Sequence, residues 1–67
     1  MIAFTVNGKK IGMESPLSIS AYLESIHVNP AAVVVELNYE IPDRQQWTET
    51  FLKDGDNLEI VKFIGGG

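Results

Sequence analysis

A chain of 67 residues with a net charge of −4 has room for one small domain, and it lacks the basic surface with which nucleic-acid binders neutralise phosphates. It has no cysteine and is 45% hydrophobic, so an apolar core, with no disulfide or cysteine-bound zinc to staple it, is expected to hold the fold. No stretch approaches the roughly 18 apolar residues of a membrane span, and Met1 leads into no signal-peptide pattern. The expectation is a cytoplasmic protein, monomeric when free, without nucleic-acid or membrane partners, whose acidity suits basic partner surfaces.

The first segment, IAFTVNGKKIGME, predicts a β-hairpin. Ile2, Phe4 and Val6 alternate with Ala3, Thr5 and Asn7, the period of a half-buried strand. Asn7-Gly8 suits a type I′ turn, which needs positive φ at both central residues. Ile11 and Met13 continue the apolar face on the return strand.

In SPLSISAYLESI, Ile19, Tyr22, Leu23 and Ile26 fall at i, i+3, i+4 and i+7, one stripe of a helix. Ser18 is placed to cap it by accepting from a free first-turn amide. Pro16 keeps the helix from starting earlier, and Asn29-Pro30 closes the segment.

AAVVVELN is rich in β-branched residues and predicts a third strand. YEIPDRQQW predicts a turn, a short bridge at Ile41 and an irregular or 3₁₀ piece carrying Trp47. Asp54-Gly55-Asp56 predicts a turn into the last strand, with Gly55 at positive φ. The fold class is therefore α+β. A mixed sheet of four to five strands packs on one helix as a β-grasp domain over residues 1–64, followed by a flexible glycine tail over 65–67.

Few residues in this plan suggest chemistry. His27 sits where the helix gives way to a loop, with no companion ligand or base nearby in sequence, and reads as structural or solvated. There is no HExxH motif, cysteine nucleophile or phosphate loop, and the serines and threonines have no base to activate them. The protein is expected not to be an enzyme, and no metal site or bound cofactor is expected. Two carboxylates in Asp54-Gly55-Asp56 are too few for a calcium shell. Trp47 reads as a core anchor ahead of a stacking surface. Arg44 is either a partner contact or a surface charge, and Lys9 and Lys10 are expected to be solvated.

The last strand carries a stronger signal. Leu58 and Ile60 alternate onto the core face, which leaves Glu59, Val61 and Phe63 on the other. Apolar residues without an obvious core mark a docking patch, unless the sheet's second face is covered. Val34 on the neighbouring strand extends this patch, and Ile64 and Gly65 follow it.

Gly65-Gly66-Gly67 ends the sequence. Such an end is either a frayed or cloning-derived remnant or a thread without Cβ atoms, slim enough for a narrow tunnel. On the second reading an unhindered α-carboxylate, anionic at neutral pH, could attack the α-phosphate of ATP in another enzyme's site and form an acyl-adenylate.

In the order VNGKKI, SISAYLESI, VVVELNYEI, RQQW, DGD and LEIVKFIGGG, the whole chain resembles the ubiquitin-like sulfur carriers, and most closely the ThiS carriers of thiamine biosynthesis. No single motif decides this, but their joint order and spacing do. The resemblance implies that Gly66 and Gly67 match the family's terminal pair and that Gly67 is adenylated and converted to a thiocarboxylate. It implies a ThiF-like, E1-like adenylyltransferase that uses ATP and magnesium, a sulfur donor such as a cysteine desulfurase, and a ThiG-like thiazole synthase as acceptor. Gly65 departs from the pattern, because relatives often carry another small residue there. The resemblance leaves open a molybdopterin-type sulfur carrier or a ubiquitin-like protein modifier, and beyond the family an interaction module with an inert tail.

Overall fold

The computed structural model describes residues 1–63. Ile64 to Gly67, and with them the expected boundary between domain and tail, lie outside the described residues.

Strands β1 (Ile2–Val6) and β2 (Lys9–Met13) form the expected antiparallel hairpin, with Val6 opposite Lys9. Asn7 and Gly8 both adopt positive φ, at 51° and 83°, as a type I′ turn requires. Helix α1 (Ile19–Ser25) starts where Ser18 accepts a hydrogen bond from the Ala21 amide at 3.0 Å. Ile19, Tyr22 and Leu23 are buried beneath the sheet, but the fourth residue of the predicted stripe, Ile26, caps the helix and is exposed. His27 follows it at a φ of 61°, the left-handed geometry that commonly ends a helix.

A 3₁₀ turn, Pro30–Ala32, capped by the Asn29 side chain, leads into strand β3 (Val33–Leu37). The bridge predicted at Ile41 forms one residue earlier, between Leu37 and Glu40, and Ile41 is exposed. Positive φ at Asn38 and Tyr39 reverses the chain tightly and moves the pairing. A second 3₁₀ turn, Arg44–Gln46, delivers Trp47 to the core.

Strand β4 (Asn57–Lys62) follows the turn at Gly55, whose φ is 87°. That turn is bound to β1: the Ala3 amide donates to the Asp54 carboxylate and the Gly55 amide to the Ala3 carbonyl, each at 2.7 Å.

The sheet has four strands in the order β2-β1-β4-β3. The central pair, β1 and β4, is parallel, and both outer pairings are antiparallel. Together with α1 this is the expected β-grasp. Phe4, Val33, Val35 and Leu58 from the sheet pack with Ile19, Tyr22 and Leu23 from α1, and Trp47 and Leu52 close the core. Each fully buried apolar side chain contributes about 1.5–3 kcal/mol of transfer free energy. The Phe4 and Tyr22 rings meet edge to face, with centroids 5.5 Å apart. No helix among the described residues is long and apolar enough to cross a membrane.

Candidate functional site: the outer face of the sheet

Residues alternate between the two faces of a strand. On β4, Leu58 and Ile60 face the helix, which puts Glu59, Val61 and, just past the strand, Phe63 on the outer face. The Phe63 amide still donates to the Ala32 carbonyl at 3.0 Å, so this side chain too is placed by the ladder. Val61 is 59% and Phe63 57% exposed. The docking-patch alternative in which this face is covered therefore does not apply within the described chain. Val34 lies directly opposite Val61 in the register and is half-buried. Among the expected docking residues, Val34, Val61 and Phe63 thus come together, while Ile64 and Gly65 lie outside the described residues, as do Gly66 and Gly67.

The same register places Glu36 opposite Glu59, the next pair on this face after Val34 and Val61. Both glutamates are half-buried. Periodicity assigns Glu59 to this face, but it does not reveal its acidic partner, because a cross-strand register is set by long-range pairing. Beyond Glu59 the face turns polar, where the Thr5 hydroxyl donates to the Asn57 side chain at 2.7 Å.

Other candidates are structural. The Arg44 guanidinium stacks over Trp47, 4.5 Å from the ring centroid. It donates to the Pro30 carbonyl and, at 2.9 Å, to the Val33 carbonyl. Arg44 is therefore not a free surface charge; it braces the entry to β3 from an exposed position. Trp47 is buried and its indole N–H donates to the Pro42 carbonyl, the expected anchor. Asp56 is committed to the Lys53 amide and the Asn38 side chain, so Asp54-Gly55-Asp56 is a knitted turn. His27 is exposed beside a shallow depression that includes Ser20, Glu24 and Pro30. The described residues gather no group of three or more metal-ligating side chains.

A sequence model of the ThiS family matches residues 2–67. The chain belongs to the ThiS family. It is 36% identical to the sulfur carrier protein ThiS of Bacillus subtilis over 63 residues, 92% of this chain and 96% of that one. It is also 37% identical over 62 residues to a thiazole synthase of Paramagnetospirillum magneticum, where the match covers 92% of this chain and 19% of that protein. This ThiS-family chain thus spans only a small part of the synthase. The crystal structure of the thiamine biosynthesis protein ThiS from Geobacter metallireducens has the same fold, with a TM-score of 0.85 at 36% identity, covering 98% of this chain and all of that one.

Proposed function

We propose that this ThiS-family chain carries sulfur for thiamine thiazole synthesis as a thiocarboxylate on Gly67. The observation that carries the reading is the family match, which runs through Gly66 and Gly67. The exposed patch of Val61 and Phe63, separated from the glycines in sequence only by Ile64, supports it as a grip for partner enzymes.

The chemistry is the activation of a weak electrophile. A carboxylate resists nucleophilic attack because its charge is delocalised, and oxide is a poor leaving group. In the proposed route a carboxylate oxygen of Gly67 attacks the α-phosphorus of ATP in a ThiF-like, E1-like adenylyltransferase, and pyrophosphate leaves. Magnesium held by that enzyme supplies charge neutralisation on the phosphates. Hydrosulfide attacking the acyl-adenylate expels AMP and leaves the thiocarboxylate with loss of a proton. A cysteine desulfurase persulfide gives an acyl disulfide instead, which a thiolate cleaves to thiocarboxylate while a disulfide forms. The thiazole synthase then accepts the sulfur, and the protein serves as co-substrate throughout. Glycines suit the terminal positions because a Cβ would crowd the approach to both enzymes.

Intact mass after incubation with ATP, magnesium, a ThiF-class enzyme and hydrosulfide tests the reading. The expected result is a gain of about 16 Da, sulfur replacing oxygen on the terminal carboxyl group. Deleting Gly67, or appending a residue after it, should abolish the gain and leave the melting temperature unchanged. Val61→Asp or Phe63→Asp should slow it without unfolding the protein. No mass change with any E1-like enzyme, or an undiminished gain in the Gly67 deletion, overturns the proposal.

A further inference from the structure

The outer face holds a pairing that disfavours the free fold. Glu36 and Glu59 are direct antiparallel partners on one face. Backbone bonds from Asn38 to Asn57 and from Phe63 to Ala32 flank them and set the alternation in which 36 and 59 form a hydrogen-bonded pair, with Cα atoms about 5.5 Å apart. Like charges directly opposed across strands are destabilising. The lysine that shares this face, Lys10, stands on β2 opposite Thr5, two strands away from Glu59. Lys62 has the opposite parity and pairs with Val33. The two carboxylates therefore adjoin the apolar patch of Val34, Val61 and Phe63 with no cation beside them in the register.

We infer that this face is the docking surface for thiazole synthase, with an arginine of the synthase seated between Glu36 and Glu59 and an apolar surface of the synthase covering Val61 and Phe63. The inference rests on the sulfur-carrier reading. A guanidinium presents five N–H donors in a planar fork and can engage two carboxylates at once. The repulsion present in the free protein becomes attraction in the complex, so the pair selects a partner with a basic group at that point. Charge complementarity sets the chemistry of the partner. Its identity follows from the Paramagnetospirillum relative, in which a stretch similar to this chain makes up 19% of a thiazole synthase, so domain and synthase share one polypeptide.

Calorimetric titration of the full chain into the purified thiazole synthase of the same organism, at low and high salt, tests this. The Glu36→Gln/Glu59→Gln double variant should bind about tenfold more weakly or worse, as expected for neutralising a close charge pair. It should also lose most of its salt dependence while its melting temperature rises. Glu59→Lys, which creates a cross-strand ion pair, should melt higher still and bind more weakly again. Glu14→Gln, on an exposed residue after β2, should bind as the wild type does. Wild-type affinity in the double glutamine variant overturns the guanidinium seat, and an undisturbed 16 Da gain in that variant (sulfur for oxygen on the terminal carboxyl) shows that the carrier reading survives. Wild-type binding to the adenylating enzyme but not to the synthase, or self-association through this face, overturns the choice of partner. Loss of both synthase binding and thiocarboxylate formation in the wild type overturns both proposals.

Discussion

The side chain of Asn7 pairs with the backbone of Ile60 in both directions. Its amide NH₂ donates to the Ile60 carbonyl at 3.2 Å, and the Ile60 amide donates to its oxygen at 2.7 Å. The regular pairing of β1 with β4 ends at Val6 and Leu58, so this side chain takes the place of one more ladder step. The residue that makes the hairpin turn also anchors the last strand at Ile60, three positions before the docking patch closes at Phe63.

Asn7→Gly keeps a residue tolerant of positive φ and removes both bonds. It should cost about 1 kcal/mol, since hydrogen bonds near solvent contribute modestly, and lower the melting temperature by roughly 4–8 °C in a domain of this size. Hydrogen exchange at the Ile60 amide should accelerate more than at Leu58. Asn7→Asp retains the acceptor and should keep most of the Ile60 protection. Unchanged protection at Ile60 in the glycine variant would contradict the role assigned to Asn7.

Arg44→Ala removes the stack on Trp47 and the donors to Pro30 and Val33. The expected loss is about 1–2 kcal/mol by denaturant unfolding, with a red shift of Trp47 emission as water reaches the ring. Arg44→Lys should recover less than half of the loss, because a single ammonium group cannot stack and fork at once. Full recovery by lysine would reduce Arg44 to a simple charge.

Tyr39 is 83% exposed and sits at a φ of 69°, left-handed geometry that costs a non-glycine residue about 1–2 kcal/mol. Tyr39→Gly forfeits little burial and gives the Asn-Gly sequence that type I′ turns favour. After the entropy cost of glycine, the net gain should be about 0.5–1 kcal/mol. A lower melting temperature would show that the exposed ring stabilises the fold in a way its exposure conceals.

Burial raises the Tyr22 phenol above its ordinary value of 10.0. Below pH 10 the phenol is neutral in both folded and unfolded chains, and its contribution to stability is fully present. Above that, the unfolded chain loses the proton first, so stability falls as pH rises toward the folded-state pKa. Tyr22→Phe preserves the edge-to-face contact with Phe4 and should flatten this alkaline decline in thermal melts between pH 9 and 11, the range around an ordinary tyrosine pKa. A decline of equal slope in the phenylalanine variant would place its origin elsewhere.

Most of the architecture is legible locally because its signals are short-range. The Asn7-Gly8 turn, the Ser18 cap, the helix stripe and the alternation of β4 depend on which residues lie within a few positions of one another. The docking patch is partly legible for the same reason: parity alone separates Glu59, Val61 and Phe63 from Leu58 and Ile60. Ile26 and Ile41 mark where local reading fails. A stripe does not show where the covering sheet ends, and an apolar residue beside a turn does not show which neighbour will bridge.

Composition and short-range pattern thus point to a small acidic β-grasp whose last strand turns Val61 and Phe63 away from the core ahead of three glycines. Folding decides everything that depends on residues distant in sequence meeting in space. The 53-residue separation between Asn7 and Ile60 is closed by the parallel pairing of β1 with β4. Arg44 becomes a brace because the second 3₁₀ turn is carried beneath the start of β3. Glu36 and Glu59 confront each other because the β3–β4 register aligns them. Periodicity fixes the face a side chain occupies, whereas the residue opposite it follows from the register, which is set by the burial of the whole core.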